Sequence, residues 1–171
     1  MNTATILAIK KLLSTPKKVV IVPHKNPDGD AMGSTLGLCQ YLKKIGHSST
    51  VIAPNDYPEF LKWIPGNKEV IIHEIDNTIS EELISSADVI FTLDFNALHR
   101  CGEMGTPIAN AKAVKIMIDH HQQPDSYADY VFSDITMCST CQMVYHFIEK
   151  MEDLHLIDTS IGEALYTGIM T

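Results

Sequence analysis

Lys18-Val19-Val20-Ile21-Val22 runs into Pro23-His24-Lys25-Asn26-Pro27-Asp28-Gly29-Asp30-Ala31-Met32-Gly33, and the reading of this junction decides the fold. A β-branched run with no polar alternation describes a strand buried on both faces, as in parallel sheets. Pro23 and Pro27 stop the strand, Gly29 permits a tight turn, and Asp30 is placed as the N-cap of a helix over 31–45 that Gly46 terminates. Asp28 and Asp30 then stand one residue apart at a helix N-terminus. The helix dipole favours their ionised forms, while their mutual repulsion calls for a cation between them. For the loop alone two readings stand: a capped helix behind a turn residue, and half of a metal site.

Outward from the junction, residues 49–53 read as a second strand, which makes a strand-helix-strand unit and a parallel pair. Gly33 and Gly37, four residues apart on the intervening helix, let one face approach a neighbouring backbone closely. An amphipathic helix over 3–13 precedes the unit. After it, 54–66 reads as an irregular connection with one helical turn in which Trp63 packs, 69–73 as a short strand, and 80–86 as a helix capped by Ser80. Strands over 88–93 and 114–118 flank a helix over 102–111. A short strand at 130–132 precedes helices over 140–151, capped by Ser139 or Thr140, and 159–168, capped by Asp158 or Thr159. The alternation describes an α/β fold: three layers, a mostly parallel sheet with helices on both faces, without internal repeat or linker.

The 171 residues, 45% of them hydrophobic and 20% charged, fit one domain with a substantial core. No apolar run approaches the roughly 18 residues of a membrane span and no signal peptide is apparent, so a cytoplasmic location is expected and no membrane partner. Cys39, Cys101, Cys138 and Cys141 are irregularly spaced, which describes reduced thiols; the Cys138/Cys141 pair sits at a helix start and reads as structural. His73 and Glu74 read as a surface pair, and His47, His99, His146 and His155 as surface or satisfied core histidines. The net charge of −8 argues against a broad groove for long duplex nucleic acid but not against a short oligonucleotide held through metal ions.

Three of the strands deliver chemistry at their carboxyl ends, where open parallel sheets bind ligands. The first leads to His24, Asp28 and Asp30, the next to Asp94, the third to Asp119, His120 and His121. Oxygen and imidazole donors without a strand-end thiolate suit a hard or borderline divalent ion such as manganese or magnesium. Asp94 is the candidate bridge between two ions. Paired ions about 3.5–4 Å apart activate water and stabilise both oxygens of a phosphate ester displacement. Lys25 and Arg100 stand beside the motifs as candidate partners for phosphate oxygens, or as solvated surface charges.

Together, His24-Lys25-Asn26-Pro27-Asp28-Gly29-Asp30, Asp94 and Asp119-His120-His121 resemble the DHH phosphoesterases, and the resemblance covers nearly the whole chain with its motifs in family order. It implies a Rossmann-like DHH domain and hydrolysis of phosphate esters in short oligonucleotides or phosphorylated nucleotides, with two manganese ions as cofactor, magnesium being admissible. The small oligoribonucleases that also dephosphorylate 3'-phosphoadenosine 5'-phosphate are the nearest subfamily. Carried over, it assigns His24 and Asp28 to one ion, Asp30 and His120 to the other, and Asp94 to both. Asp119 would orient the histidines, and His121 would face the scissile phosphate as an acid or electrostatic stabiliser. The family's final aspartate, after a Gly-Ile-x-Thr segment, is expected just past Gly168-Ile169-Met170-Thr171. Residues 1–171 are therefore expected to be a catalytic domain truncated at its C-terminal edge, without the glycine-rich second domain, and to bind metal weakly and turn over little substrate alone. A homodimer is left open. Exopolyphosphatase or pyrophosphatase activity, and a non-catalytic nucleotide-binding module, are the competing expectations.

Overall fold

The computed structural model describes residues 3–171. Its strands are β1 (Lys18–Val22), β2 (Ser48–Ala53), β3 (Ile71–Ile72), β4 (Val89–Leu93), β5 (Val114–Asp119) and β6 (Tyr130–Ser133). They form one sheet in the order β3-β2-β1-β4-β5-β6, with all five pairings parallel. The helices are α1 (Thr3–Leu12), α2 (Gly29–Lys44), α3 (Asn77–Ser86), α4 (Gly105–Asn110), α5 (Thr140–Lys150) and α6 (Thr159–Met170).

The strands are apolar without alternation because both faces are covered. Val19, Ile21, Phe91, Ile116 and Ile118 pack with residues of α1, α2, α5 and α6, while Val20, Val22, Ile52 and Ile90 pack with residues of α3 and α4. The expected three-layer α/β architecture is therefore the observed one. Phe91 meets Phe147 of α5 edge-on at 5.9 Å in the larger core, each buried ring contributing about 1.5–3 kcal/mol.

Gly33 and Gly37 do allow a close approach, and the neighbour is α6. A Cβ on Gly33 would lie 2.5 Å from the Ala164 carbonyl oxygen, and one on Gly37 2.7 Å from Leu165. Helix α6 turns Ile161, Ala164, Leu165 and Gly168 inward, the spacing of one helical face. Its N-cap is Asp158, whose carboxylate accepts the Ile161 N–H at 3.1 Å and pairs with Lys44 at 2.7 Å. Asp158→Ala is expected to cost about 1 kcal/mol at neutral pH and to lower Tm by a few degrees in thermal unfolding. Lys44 and the capping N–H groups lower the Asp158 pKa. The difference between variant and wild type is therefore full above the ordinary carboxylate range and vanishes as pH falls through the depressed folded-state value.

Several local expectations are corrected. The cap of α2 is Asp28, not Asp30: Asp28 is extended (φ −96°, ψ −167°) and accepts the Ala31 N–H, so the helix begins at Gly29. The strand expected over 69–73 shrinks to Ile71–Ile72, because Gly66 at φ 89° starts a 3-10 turn over Asn67–Glu69. Helix α3 begins one turn earlier than Ser80, whose hydroxyl donates to the Asn77 carbonyl and accepts from His73 Nδ1 at 2.5 Å. His73 is thus buried rather than paired with Glu74 on the surface. The helix expected over 102–111 is a 3-10 segment, Leu98–Met104, broken where Gly102 takes φ 63°, followed by α4. Trp63 does not pack; it is 59% exposed, and Trp63→Ser is expected to change unfolding free energy by less than about 0.5 kcal/mol.

Candidate metal centre

The strand order reverses direction between β1 and β4, and the connections leaving those strands to opposite sides open a crevice at their carboxyl ends. His24 follows one of these strands, Asp94 the other, and Asp119 ends the adjacent β5. A depression of about 490 Å³ lies there, lined by His24, Asp28, Asp30, Asp94, Arg100, His120 and His121, with Cys138, Ser139 and residues 168–171.

Asp94 is the centre of this group. It is 3% exposed and adopts φ 64°, a left-handed conformation that aspartate tolerates better than most residues. Its two oxygens face different imidazoles: Oδ2 is 3.5 Å from His24 Nε2, and Oδ1 is 3.5 Å from His120 Nε2. The Thr140 hydroxyl donates to Oδ1 at 2.8 Å. Burial opposes the charge on Asp94, but hydrogen bonds from His120, His24 and Thr140 outweigh it and hold the carboxyl well below its ordinary range. The hydrogen bond to Asp94, against partial burial, pushes His120 up to about 9.

Both histidines have their other ring nitrogen beside a backbone carbonyl. His24 Nδ1 lies 2.8 Å from the Lys25 oxygen and His120 Nδ1 3.3 Å from the Met137 oxygen. A proton on Nδ1 leaves the Nε2 lone pair facing the carboxylates, the arrangement in which imidazole ligates a metal. Burial opposes protonation of His24, yet the Asp94 hydrogen bond, the Lys25 carbonyl and the charges of Asp94 and Asp28 raise its pKa.

Two three-residue groups have donor atoms within 4.8 Å of one another: His24, Asp28 and Asp94, and Asp94, His120 and His121. They share Asp94, and neither contains a thiol. The donor set therefore fits a divalent cation on each side of one carboxylate. Asp28 Oδ1 lies 3.9 Å from His24 Nε2 while also capping α2. Asp30 is 3.8 Å from His120 Nε2, but its two oxygens accept the backbone N–H groups of Cys141 and Thr140 at 2.8 and 2.7 Å. It thereby ties α2 to the N-terminus of α5. Burial and the charge of Asp94 raise the Asp30 pKa against those two donors.

Asp119 is fully buried beneath the depression and accepts from His121, at Nδ1 (2.7 Å) and at the backbone N–H (3.2 Å). It orients one histidine of the pair, since His120 turns to Met137 instead. Arg100 lines the depression. Lys25 is not among the lining residues; its ammonium pairs with Glu74 at 3.3 Å. Thr140 was legible in the sequence only as a helix-cap candidate. Nothing in spacing foretold that its hydroxyl meets Asp94 from 46 residues away.

The family model described as "DHH family, N-terminal domain" matches residues 18–169. The chain belongs to the DHH family. This DHH chain is 30% identical over 165 residues to the bifunctional oligoribonuclease and PAP phosphatase of Thermus thermophilus, covering 96% of this chain and 46% of that protein. To the protein of the same name from Bacillus subtilis it is 26% identical over 161 residues, covering 94% and 47%. An exopolyphosphatase-related protein of Bacteroides fragilis, solved by crystallography, is 40% identical with a TM-score of 0.97, covering 99% of this chain and 50% of that one. The DHH chain thus spans about half the length of the relatives it matches. Among the described residues, no helix is long and apolar enough to cross a membrane.

Proposed function

We propose that this DHH chain carries the metal-binding and catalytic side of a two-metal phosphoesterase acting on short oligonucleotides or phosphorylated nucleotides. The observation that carries the reading is Asp94: one buried carboxylate, each oxygen 3.5 Å from the Nε2 of a different histidine. Two donor atoms at such separations can both reach one cation at about 2.0–2.2 Å, so the same geometry offers a position for a cation on either side of Asp94.

In this reading His24 and Asp28 would hold one ion, Asp30 and His120 the other, and Asp94 would serve both. Oxygen and imidazole donors favour manganese, with magnesium as the substitute. When bound, the pair supplies an activated water and charge stabilisation for a phosphate ester displacement. The residues of the chain do the remainder. Asp119 holds His121 in one orientation, with Nδ1 committed and Nε2 available to the substrate as acid or electrostatic partner. Arg100, which lines the depression, is the cation this reading gives to the non-bridging phosphate oxygens; Lys25 would first have to leave Glu74.

The Thermus and Bacillus relatives, named as oligoribonucleases and PAP phosphatases, support that type. The Bacteroides relative, described as exopolyphosphatase-related, favours an exopolyphosphatase as second reading. In the full-length protein loaded with manganese, release of product from a dinucleotide and from 3'-phosphoadenosine 5'-phosphate is expected, abolished by chelator, with pyrophosphate and polyphosphate resisting. Release from polyphosphate alone would select the second reading, and no manganese-dependent release from any of them would end both.

A further inference from the structure

Beside the metal centre lies a second cavity of about 410 Å³, lined by Asn26, Pro27, Asp28, Asp56, Tyr57, Pro58 and Phe60. Asp28 lines both, so the two adjoin at that residue. Phe60 sits in a 3-10 turn, Glu59–Leu61, and the residue is 64% exposed. An aromatic ring left that open next to a reaction site needs an account.

The segment bearing Phe60 is held rather than loose. Asn55 accepts the Asn26 N–H at 2.7 Å and returns a hydrogen bond to the Asn26 side chain at 3.1 Å, which ties it to the loop of His24 and Asp28. Tyr57 is buried, its hydroxyl donating to Asn67 at 2.5 Å. Lys62 bridges Asp56 and Glu59 at 3.2 and 2.7 Å. Rings of Phe60, Pro27 and Pro58 therefore present an apolar wall whose position relative to the metal ligands is set by hydrogen bonds.

Charge selects the occupant. The carboxylates in the lining, Asp28 and Asp56, make this cavity hostile to a phosphate, and Lys62, which reaches Asp56, is spent on Asp56 and Glu59. Arg100 and the metal ligands lie on the other side of Asp28. A ligand with an anionic end and a flat, uncharged heterocycle matches both halves. Resting on the phosphoesterase reading above, we propose that Phe60 is the stacking platform for a nucleobase of the substrate while its phosphate lies over Asp94. An inorganic polyphosphate would leave this wall unused.

Stacking of a base on an aromatic side chain is worth about 5- to 150-fold in affinity. The test is a calorimetric titration of the protein with adenosine 5'-monophosphate and with ribose 5-phosphate, in the presence of manganese, for wild type, Phe60→Ala and Phe60→Trp. Because Phe60 is exposed, neither variant threatens the fold. In wild type the nucleotide is expected to bind at least fivefold more tightly than the base-less sugar phosphate, Phe60→Ala to erase that preference, and Phe60→Trp to keep it. Equal binding of the two ligands by wild type, or a preference that survives in Phe60→Ala, overturns the platform. A base preference that depends on Phe60 in a protein with no phosphoesterase activity would instead keep the platform and remove the hydrolase reading.

Discussion

Asp94→Asn is expected to preserve the fold and to weaken manganese binding severely. Asparagine accepts the left-handed φ of 64° as readily as aspartate, and its amide oxygen can still take the hydrogen bond from Thr140. What it cannot do is offer an anionic oxygen to both sides. Its NH2 group would face the lone pair of either His24 or His120, each now 3.5 Å from a carboxylate oxygen. Losing a partner that merely supports a ligand costs about 10–100-fold in metal affinity; losing the shared ligand itself is expected to cost more than about 100-fold and to take phosphate ester hydrolysis with it. Electron paramagnetic resonance titration with manganese reads the affinity, and circular dichroism with thermal unfolding verifies the fold. Binding within threefold of wild type would remove Asp94 from the centre.

The largest effect on stability is expected from Gly168→Ala. A Cβ there would meet the Cys141 sulfur, the Gly29 carbonyl oxygen at 2.8 Å and the Asp30 Cα at 2.9 Å. Two of these three belong to the backbone of the first turn of α2, which cannot step aside without moving Asp28 and Asp30. The cost is expected near the upper end of overpacking, about 3 kcal/mol, or roughly 6–12 °C in Tm, together with weaker manganese binding. Gly162→Ala in the same helix is the control: nothing lies within 4 Å of its Cβ position, so removing a helical glycine there is expected to stabilise by about 0.5–1 kcal/mol. If both variants unfold at the wild-type temperature, α6 is not seated against α2 as described.

How far the sequence carried depended on the kind of signal. Val19 to Val22 and Val89 to Leu93 were readable as buried strands because a parallel sheet covered by helices demands apolar residues on both faces, and that demand is local. The site residues were readable for a related reason. Acid and imidazole side chains directly after such strands must arrive at the same edge, whatever their separation along the chain. Between the strands the signal weakened. Asp28 and Asp30 are equally good caps by composition, and only the extended backbone of Asp28 decides which one binds Ala31. Trp63 and His73 were misplaced because hydrophobicity and charge speak for an average environment; their burial depends on which residue the chain happens to bring opposite.

From its own residues the sequence determined the layered parallel α/β architecture and the arrival of His24, Asp28, Asp30, Asp94, Asp119, His120 and His121 at the carboxyl ends of three strands, since periodicity and strand-end placement are properties of the chain. Only the tertiary structure decided how those donors are shared. It put each Asp94 oxygen before a different histidine, committed Asp30 to the N-terminus of α5, set the Asp119 carboxylate against His121 rather than His120 and turned Lys25 toward Glu74. It also left Phe60 open beside the centre. Each of these depends on contacts between segments dozens of residues apart, within distances of about 3–4 Å that no local pattern encodes.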